Sequence, residues 1–419
     1  MTSPALQRRL GLGDAVFIGL GSMVGAGVFA VWAPAADAAG TGLLIGLAIA
    51  AIVAFGNATS SAQLAAAHPT SGGTYAYGRA ELGPWWGFVA GWGFVIGKIA
   101  SCAAMALTFA AYAAPAGWER PVAIAAVVAL TAVNWFGVTR TAGAARVIVV
   151  ISLGALAAAV TAAFSAGSTP DWFTAGTVWA GGGYGILQSA GLLFFAFAGY
   201  ARIATMGEEV RDPRRVIPRA IVIAFLIAPA VYVVVAVSVL SALGPDAVAA
   251  STAPVADAAA QSGWAWIDVV VRIGAAAASL GALLALIAGV SRTAFAMSRE
   301  RDLPGFLDAV HPRWHVPHRA ELAAAGIVVV LVALVVLRGA IGFSSFGVLL
   351  YYFVANVAAF RQRGDARRYP VVLQIIGAIG CLVLAITLPW QSVVAGAVVV
   401  AVGVAYRVLR LRRRITPPA

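Results

Sequence analysis

The chain has 419 residues, 62% of them apolar and only 11% charged, with 28 basic and 16 acidic side chains for a formal net charge of +12. A water-soluble protein of this length carries about 25% charged residues, so a soluble enzyme of one or two domains is excluded. In so apolar a chain the positive balance points to basic loops on one membrane face rather than to nucleic acid.

A membrane-crossing helix needs about 20 apolar residues, and apolar segments run near 12–36, 42–67, 85–114, 121–138, 143–166, 185–205, 217–243, 265–298, 320–337, 341–360, 370–388 and 391–409. The pattern predicts twelve spans with both termini on one side. The first run, Leu10 to Ala36, is too long for a signal h-region and is expected to be a retained span. The arginines set the orientation. Twenty-two of them fall on the N-terminal face, whereas Arg120, Arg272 and Arg338 fall on the opposite one. By the positive-inside rule both termini are expected in the cytoplasm, and the chain in a cell inner membrane with lipid as its surroundings. The two cysteines, Cys102 and Cys381, lie in apolar runs and fit neither a metal motif nor a disulfide framework.

Two connections differ from the rest. Gly207 to Arg219 is charged and punctuated by prolines, and serves either as a topology anchor or as a gate latch. Gly244 to Gly263 predicts a short helix on the outer face. His68, His311, His315 and His318 fall in connections. His311 and His315 have an i, i+4 spacing, but Pro312 and Pro317 interrupt the helix that would present both, so no metal or cofactor is expected.

The first span holds Gly19, Gly21, Gly25 and Gly27 within nine residues, each costing about 1 kcal/mol in a helix against alanine. One explanation is close helix packing along Gly21-x-x-x-Gly25. The other is an unwound stretch, which membranes tolerate where it lines a cavity or is buried in protein. Unwinding exposes the N–H groups of the following half-helix to a carboxylate and the carbonyls of the preceding one to an ammonium. Transporters built from inverted repeats place such breaks at the bilayer midplane. A five-span repeat then predicts a second break in span six, where Gly199 lies mid-span.

Lys98 is the single lysine against 27 arginines. It falls about 14 residues, or about 21 Å, into span three, with no mid-span carboxylate to partner it. Intramembrane charges are functional candidates by default, so Lys98 is expected either to bind and release a coupled proton or to reach vestibule water and serve packing.

Gly21-Ser22-Met23-Val24-Gly25-Ala26-Gly27-Val28-Phe29 resembles the first-span signature of the amino acid–polyamine–organocation permeases. Phe194-Phe195-Ala196-Phe197-Ala198-Gly199-Tyr200 resembles their sixth-span signature. Glu208-Glu209-Val210 with Pro213, Arg215 and Ile217 to Ile221 is similar to the loop that follows. Ser291-Arg292 through Leu303-Pro304 is similar to the end of their eighth span. The likeness runs from about residue 8 to 400. It implies an all-α integral membrane protein of twelve transmembrane helices, with a five-plus-five inverted repeat (the leucine-transporter-like fold) and two extra helices. Its parts would be an N-terminal segment 1–11, repeats 12–167 and 168–361, two added helices over 362–409 and a basic tail 410–419.

The resemblance further implies an amino acid carrier rather than an enzyme. Backbone at Gly25, Ala26 and Gly27 would take the substrate carboxylate, carbonyls of Met23, Phe195, Ala196 and Ala198 the ammonium, and Phe197 would gate the site. Proton-coupled relatives carry a fifth-span lysine, and its position here is Ser152, so either Lys98 has taken over or coupling differs. Arg202 would contact a carboxylate or gate, or pair with Glu208 or Glu209. Ser279 would lend an oxygen near the ion position or pack helices. The expected activity is proton-coupled amino acid symport, with an exchanger or a polyamine permease as the alternative. Cationic substrates would want an acid in the pocket, and the sequence offers none there. A membrane enzyme would need a mid-membrane histidine or acid cluster, and a channel would not need paired helix breaks.

Overall fold

The computed structural model describes residues 10–25, 27–68, 72–136, 141–200, 203 and 210–415, with backbone alone at 141–146 and 413–415. Among these residues there is no β-strand, only an isolated parallel bridge between Leu10 and Val210, so the fold is all-α. The first part of the chain forms α1 (Leu12–Met23), α2 (Gly27–Ala30), α3 (Trp32–Ala39), α4 (Leu43–Ala67), α5 (Gly73–Leu82), α6 (Pro84–Ala113), α7 (Glu119–Trp135), α8 (Thr141–Ser165), α9 (Ala175–Val178) and α10 (Gly182–Phe197). The second forms α11 (Pro213–Leu243), α12 (Pro245–Ala250), α13 (Pro254–Ala260), α14 (Ile267–Arg299), α15 (His318–Leu334), α16 (Leu337–Arg361), α17 (Val371–Thr387) and α18 (Trp390–Ile415).

Nine stretches among the described residues are long and apolar enough to cross a membrane. The helices α7, α15 and α17 have 17 residues each and fall below that length. The outward faces are apolar, with Leu226, Leu334 and Ile386 among the most exposed side chains, as a lipid-facing surface requires. The chain is an integral membrane protein. Proline at the first helical turn, where its missing N–H costs nothing, starts α6, α11, α12 and α13. The short outer helix expected between Gly244 and Gly263 is two short helices, α12 and α13.

At 30 residues α6 is about 45 Å long by helix rise, and it packs against α14 and α16. Glycines set that closeness. A methyl group on Gly93 would stand 2.9 Å from the Gly347 carbonyl oxygen, and one on Gly97 would stand 3.0 Å from that of Ser344. Small residues let two backbones meet this way in a membrane. The Ser101 and Ser344 hydroxyls, 2.6 Å apart, close the same seam.

One ionic cluster ties three regions together. Asp302, 5% exposed, follows α14 and accepts hydrogen bonds from Tyr75 and Arg79 of α5 (both 2.9 Å), and it pairs with Arg407 of α18. Arg407 also donates to the Pro84 carbonyl and lies over the Trp85 and Phe88 rings. Burial and the Asp302 carboxylate hold the Tyr75 phenol well above its ordinary value, so it stays a donor.

Candidate substrate site at two helix ends

The first span is interrupted where the glycines predict. Helix α1 stops at Met23, closed by the Val24 N–H on the Leu20 carbonyl at 2.7 Å, and the chain resumes as a helix at Gly27. The physical reason is local: successive small residues at Gly25 and Gly27 bring no side-chain packing to hold a helix together. In the segment expected to be the sixth span, α10 stops at Phe197 and tightens into a 3₁₀ turn over Ala198–Tyr200.

The two interruptions lie against each other. A methyl group on Gly27 would stand 2.9 Å from the Ala196 Cα, and one on Gly199 would stand 2.1 Å from the Ser22 carbonyl oxygen. Only hydrogen fits at either position, so backbone meets backbone. The last carbonyls of two helices therefore converge, and each such end carries the negative pole of its helix.

One side chain joins them. The hydroxyl of Tyr232, buried in α11, lies 2.5 Å from the Met23 carbonyl oxygen and 2.9 Å from that of Ala196. A phenol has one proton for two acceptors, so it tethers the ends by sharing. Tyr352 of α16 donates to the Ala198 carbonyl at 3.3 Å. Tyr112, near the end of α6, donates to the Phe29 carbonyl at 3.1 Å while its ring packs edge-on against that of Phe29. Three tyrosines from three helices thus surround the two breaks.

The predicted residues divide accordingly. Met23, Gly25, Gly27, Phe195, Ala196, Phe197 and Ala198 lie at or beside the two ends and are buried. The Phe197 ring packs edge-on against Tyr232 at 5.0 Å and beside Phe225 at 6.0 Å. A methyl group on Gly25 would reach Ala282 of α14 at 3.9 Å. Ser279, about one turn from Ala282, is fully buried with no hydrogen-bond partner for its hydroxyl. Ser152 donates to the Ile148 carbonyl at 2.7 Å and lies 3.5 Å from the Gly274 carbonyl oxygen of α14. Lys98 sits at the middle of α6, 8% exposed, and its ammonium has no hydrogen bond or ion pair with any described residue. Ala26, Arg202, Glu208 and Glu209 lie outside the described residues. His311 meets Trp135 and His318 ring to ring at 5.5 Å, and no group of three metal-ligating side chains occurs among the described residues.

Sequence reasoning missed Tyr232 and Tyr352. The signal for the first was present: it is the one tyrosine between residues 213 and 243, set in a run of valines. A buried phenol needs a hydrogen-bond partner, and in a membrane helix that partner lies on a neighbouring element. Which element could not be read without the packing of α11 against α1.

Two negative helix ends that converge in this way suit a positively charged group of a small molecule. Residues 10–408 match the family model described as amino acid permease. An uncharacterized transporter of Mycobacterium tuberculosis is 57% identical over 98% of this chain and 93% of its own length. The branched-chain amino acid permease BcaP of Bacillus subtilis is 25% identical over 93% of this chain and 90% of its own. The human cationic amino acid transporter 4 is 28% identical over 84% of this chain, which spans 59% of that longer relative. All are transporters, not enzymes. The chain belongs to the amino acid permease family.

Proposed function

We propose that this protein is a secondary active transporter that imports neutral amino acids together with protons across the cytoplasmic membrane. The observation that carries the site is the convergence of the α1 and α10 carbonyl ends on the Tyr232 hydroxyl. A phenolic O–H there occupies the kind of position an ammonium group would take, with better donors and a full charge against two negative helix poles. In this reading the carbonyls of Met23, Phe195, Ala196 and Ala198 hold the substrate ammonium. The backbone at Gly25, Ala26 and Gly27 holds its carboxylate. Phe197 supports the site through its contacts with Tyr232 and Phe225.

Ten spans in two inverted halves, 12–167 and 168–361, followed by two further spans over 362–409 and with termini in the cytoplasm, would let the first, second, sixth and seventh spans rock against the third, fourth, eighth and ninth. Lys98 is the proposed proton carrier: a buried ammonium without a described partner, in the span next to the first break. Ser152, Ser279 and Arg202 are the secondary positions for coupling or gating. Neutral substrates fit better than cationic ones. The buried carboxylates among the described residues are Asp302 and Glu321, and both stand at helix ends rather than at the breaks.

Thermal stabilisation of the purified protein tests the two poles. Neutral α-amino acids should raise the melting temperature, whereas the amine lacking the carboxylate and the acid lacking the amine should not. Stabilisation by diamines alone would favour the polyamine alternative and contradict the proposal.

A further inference from the structure

Between α4 and α16 runs a row of buried amides that no transport step above uses. Asn57, Ser60 and Gln63 of α4 and Asn356 of α16 are all fully buried. The Asn356 amide nitrogen donates to the Asn57 side-chain oxygen at 2.6 Å and to the Tyr352 carbonyl at 2.8 Å. Ser60 donates to the Asn356 side-chain oxygen at 2.7 Å, and the Cys381 thiol of α17 reaches Asn57 at 3.4 Å. About one turn further along, Gln63 bonds the Ala359 carbonyl and the Gln362 side chain, and Gln362 donates to Glu81 at 2.6 Å.

Tyr352 is one helical turn from Asn356 and so on the same face of α16. Its ring stacks on Tyr200 at 5.0 Å and meets Phe194 edge-on at 5.8 Å, while its hydroxyl donates to Ala198. Every one of these groups belongs to the sixth-span break or flanks it. An amide pair between two membrane helices fixes their rotation and register, because a shifted register forfeits the bonds of Asn356 and leaves its amide unpaired in hydrocarbon, as the Asn57 amide nitrogen already is. Rotation of α16 against α4 would carry Tyr352 off the Ala198 carbonyl.

We propose that Asn356 is a positioning residue for the substrate site: paired with Asn57 and Ser60, it sets the register of α16 so that Tyr352 orients the Ala198 carbonyl. This rests on the reading that Ala198 helps to hold the substrate ammonium. Asn356 itself touches no substrate. Its influence passes through Tyr352, so the two side chains act as one unit and their losses do not add.

Initial uptake of a labelled neutral amino acid into proteoliposomes tests this with Asn356→Leu, Tyr352→Phe and the double variant. Each single change should raise KM about tenfold with the maximal rate within about twofold, and the double variant should be no worse than either. Gly377→Ala perturbs the same contact without removing it. A methyl group there would stand 2.4 Å from the Asn356 side-chain oxygen, and the same rise in KM is expected. This second route holds even where Asn356→Leu fails to fold. Losses that multiply to about a hundredfold in the double variant would overturn the proposal, as would a falling maximal rate at unchanged KM. A parent protein that takes up no amino acid would bring down the functional reading, and this inference with it, before any variant is compared.

Discussion

Replacing Tyr232 with phenylalanine removes one oxygen and leaves the ring contacts with Phe197 in place, so the consequence is confined to two carbonyls. Met23 and Ala196 each lose the donor that lies 2.5 and 2.9 Å away. A buried acceptor left unpaired costs about 1–3 kcal/mol. The single phenolic proton serves one carbonyl at a time, so the expected loss is about 1–2 kcal/mol rather than twice that. In the proposed site these carbonyls must also stay convergent for an incoming ammonium. Letting them drift apart should cost binding by a similar amount, a five- to thirtyfold rise in KM at 1.4 kcal/mol per factor of ten. Two assays read the change: thermal unfolding of the detergent-purified protein, where the variant should melt lower, and initial-rate uptake, where KM should rise more than the maximal rate falls. A variant with the parent's melting temperature and a KM within twofold of the parent's would refute the claim that Tyr232 holds the two helix ends together.

Three other outcomes follow from the same geometry. Gly199→Ala puts a methyl group 2.1 Å from the Ser22 carbonyl oxygen, so it should abolish uptake by forcing the two breaks apart, while Gly305→Ala, which has open space around it, should not; uptake of both variants at matched expression checks this. Asp302→Ala leaves Arg407, 7% exposed, as an uncompensated buried charge, which typically costs about 3–5 kcal/mol. Poor recovery of folded protein by size-exclusion chromatography is expected, with partial rescue when Arg407→Met is added. Ser101→Val breaks the 2.6 Å contact with Ser344 and adds bulk to a glycine-lined seam; an overpacked core typically loses about 1–3 kcal/mol, so its melting temperature should fall measurably, with Ser101→Ala the milder change.

Composition and hydropathy were enough to read an all-α membrane protein from the sequence, because lipid admits few alternatives to a helix. The first-span break was legible for an equally local reason, four glycines in nine residues. The sixth-span break was weaker in sequence, with Gly199 alone to mark it, and its meaning emerges only from its contact with Ser22 across the bundle. Tyr232 and Tyr352 were not found. Their roles depend on carbonyls 209 and 154 positions away in the chain, and a tyrosine among valines looks the same whether its hydroxyl faces a helix end or lipid headgroups. The ionic cluster at Asp302 was hidden likewise. Its three partners come from α5 and from the last helix, which only the packing brings together. Lys98 was conspicuous as the lone lysine, and its burial at mid-helix is what keeps it a candidate.

Proton coupling at Lys98 is the central claim, and uptake driven by an imposed pH gradient tests it most directly. Proteoliposomes loaded with labelled-substrate-free buffer at pH 7.5 and diluted to about pH 5.5 outside should accumulate a labelled neutral amino acid above equilibrium, without sodium. A protonophore should collapse the accumulation. Lys98→Ala should retain exchange of labelled for unlabelled substrate but lose the gradient-driven accumulation. Accumulation that survives unchanged in Lys98→Ala, or that requires sodium in the parent protein, would contradict the account.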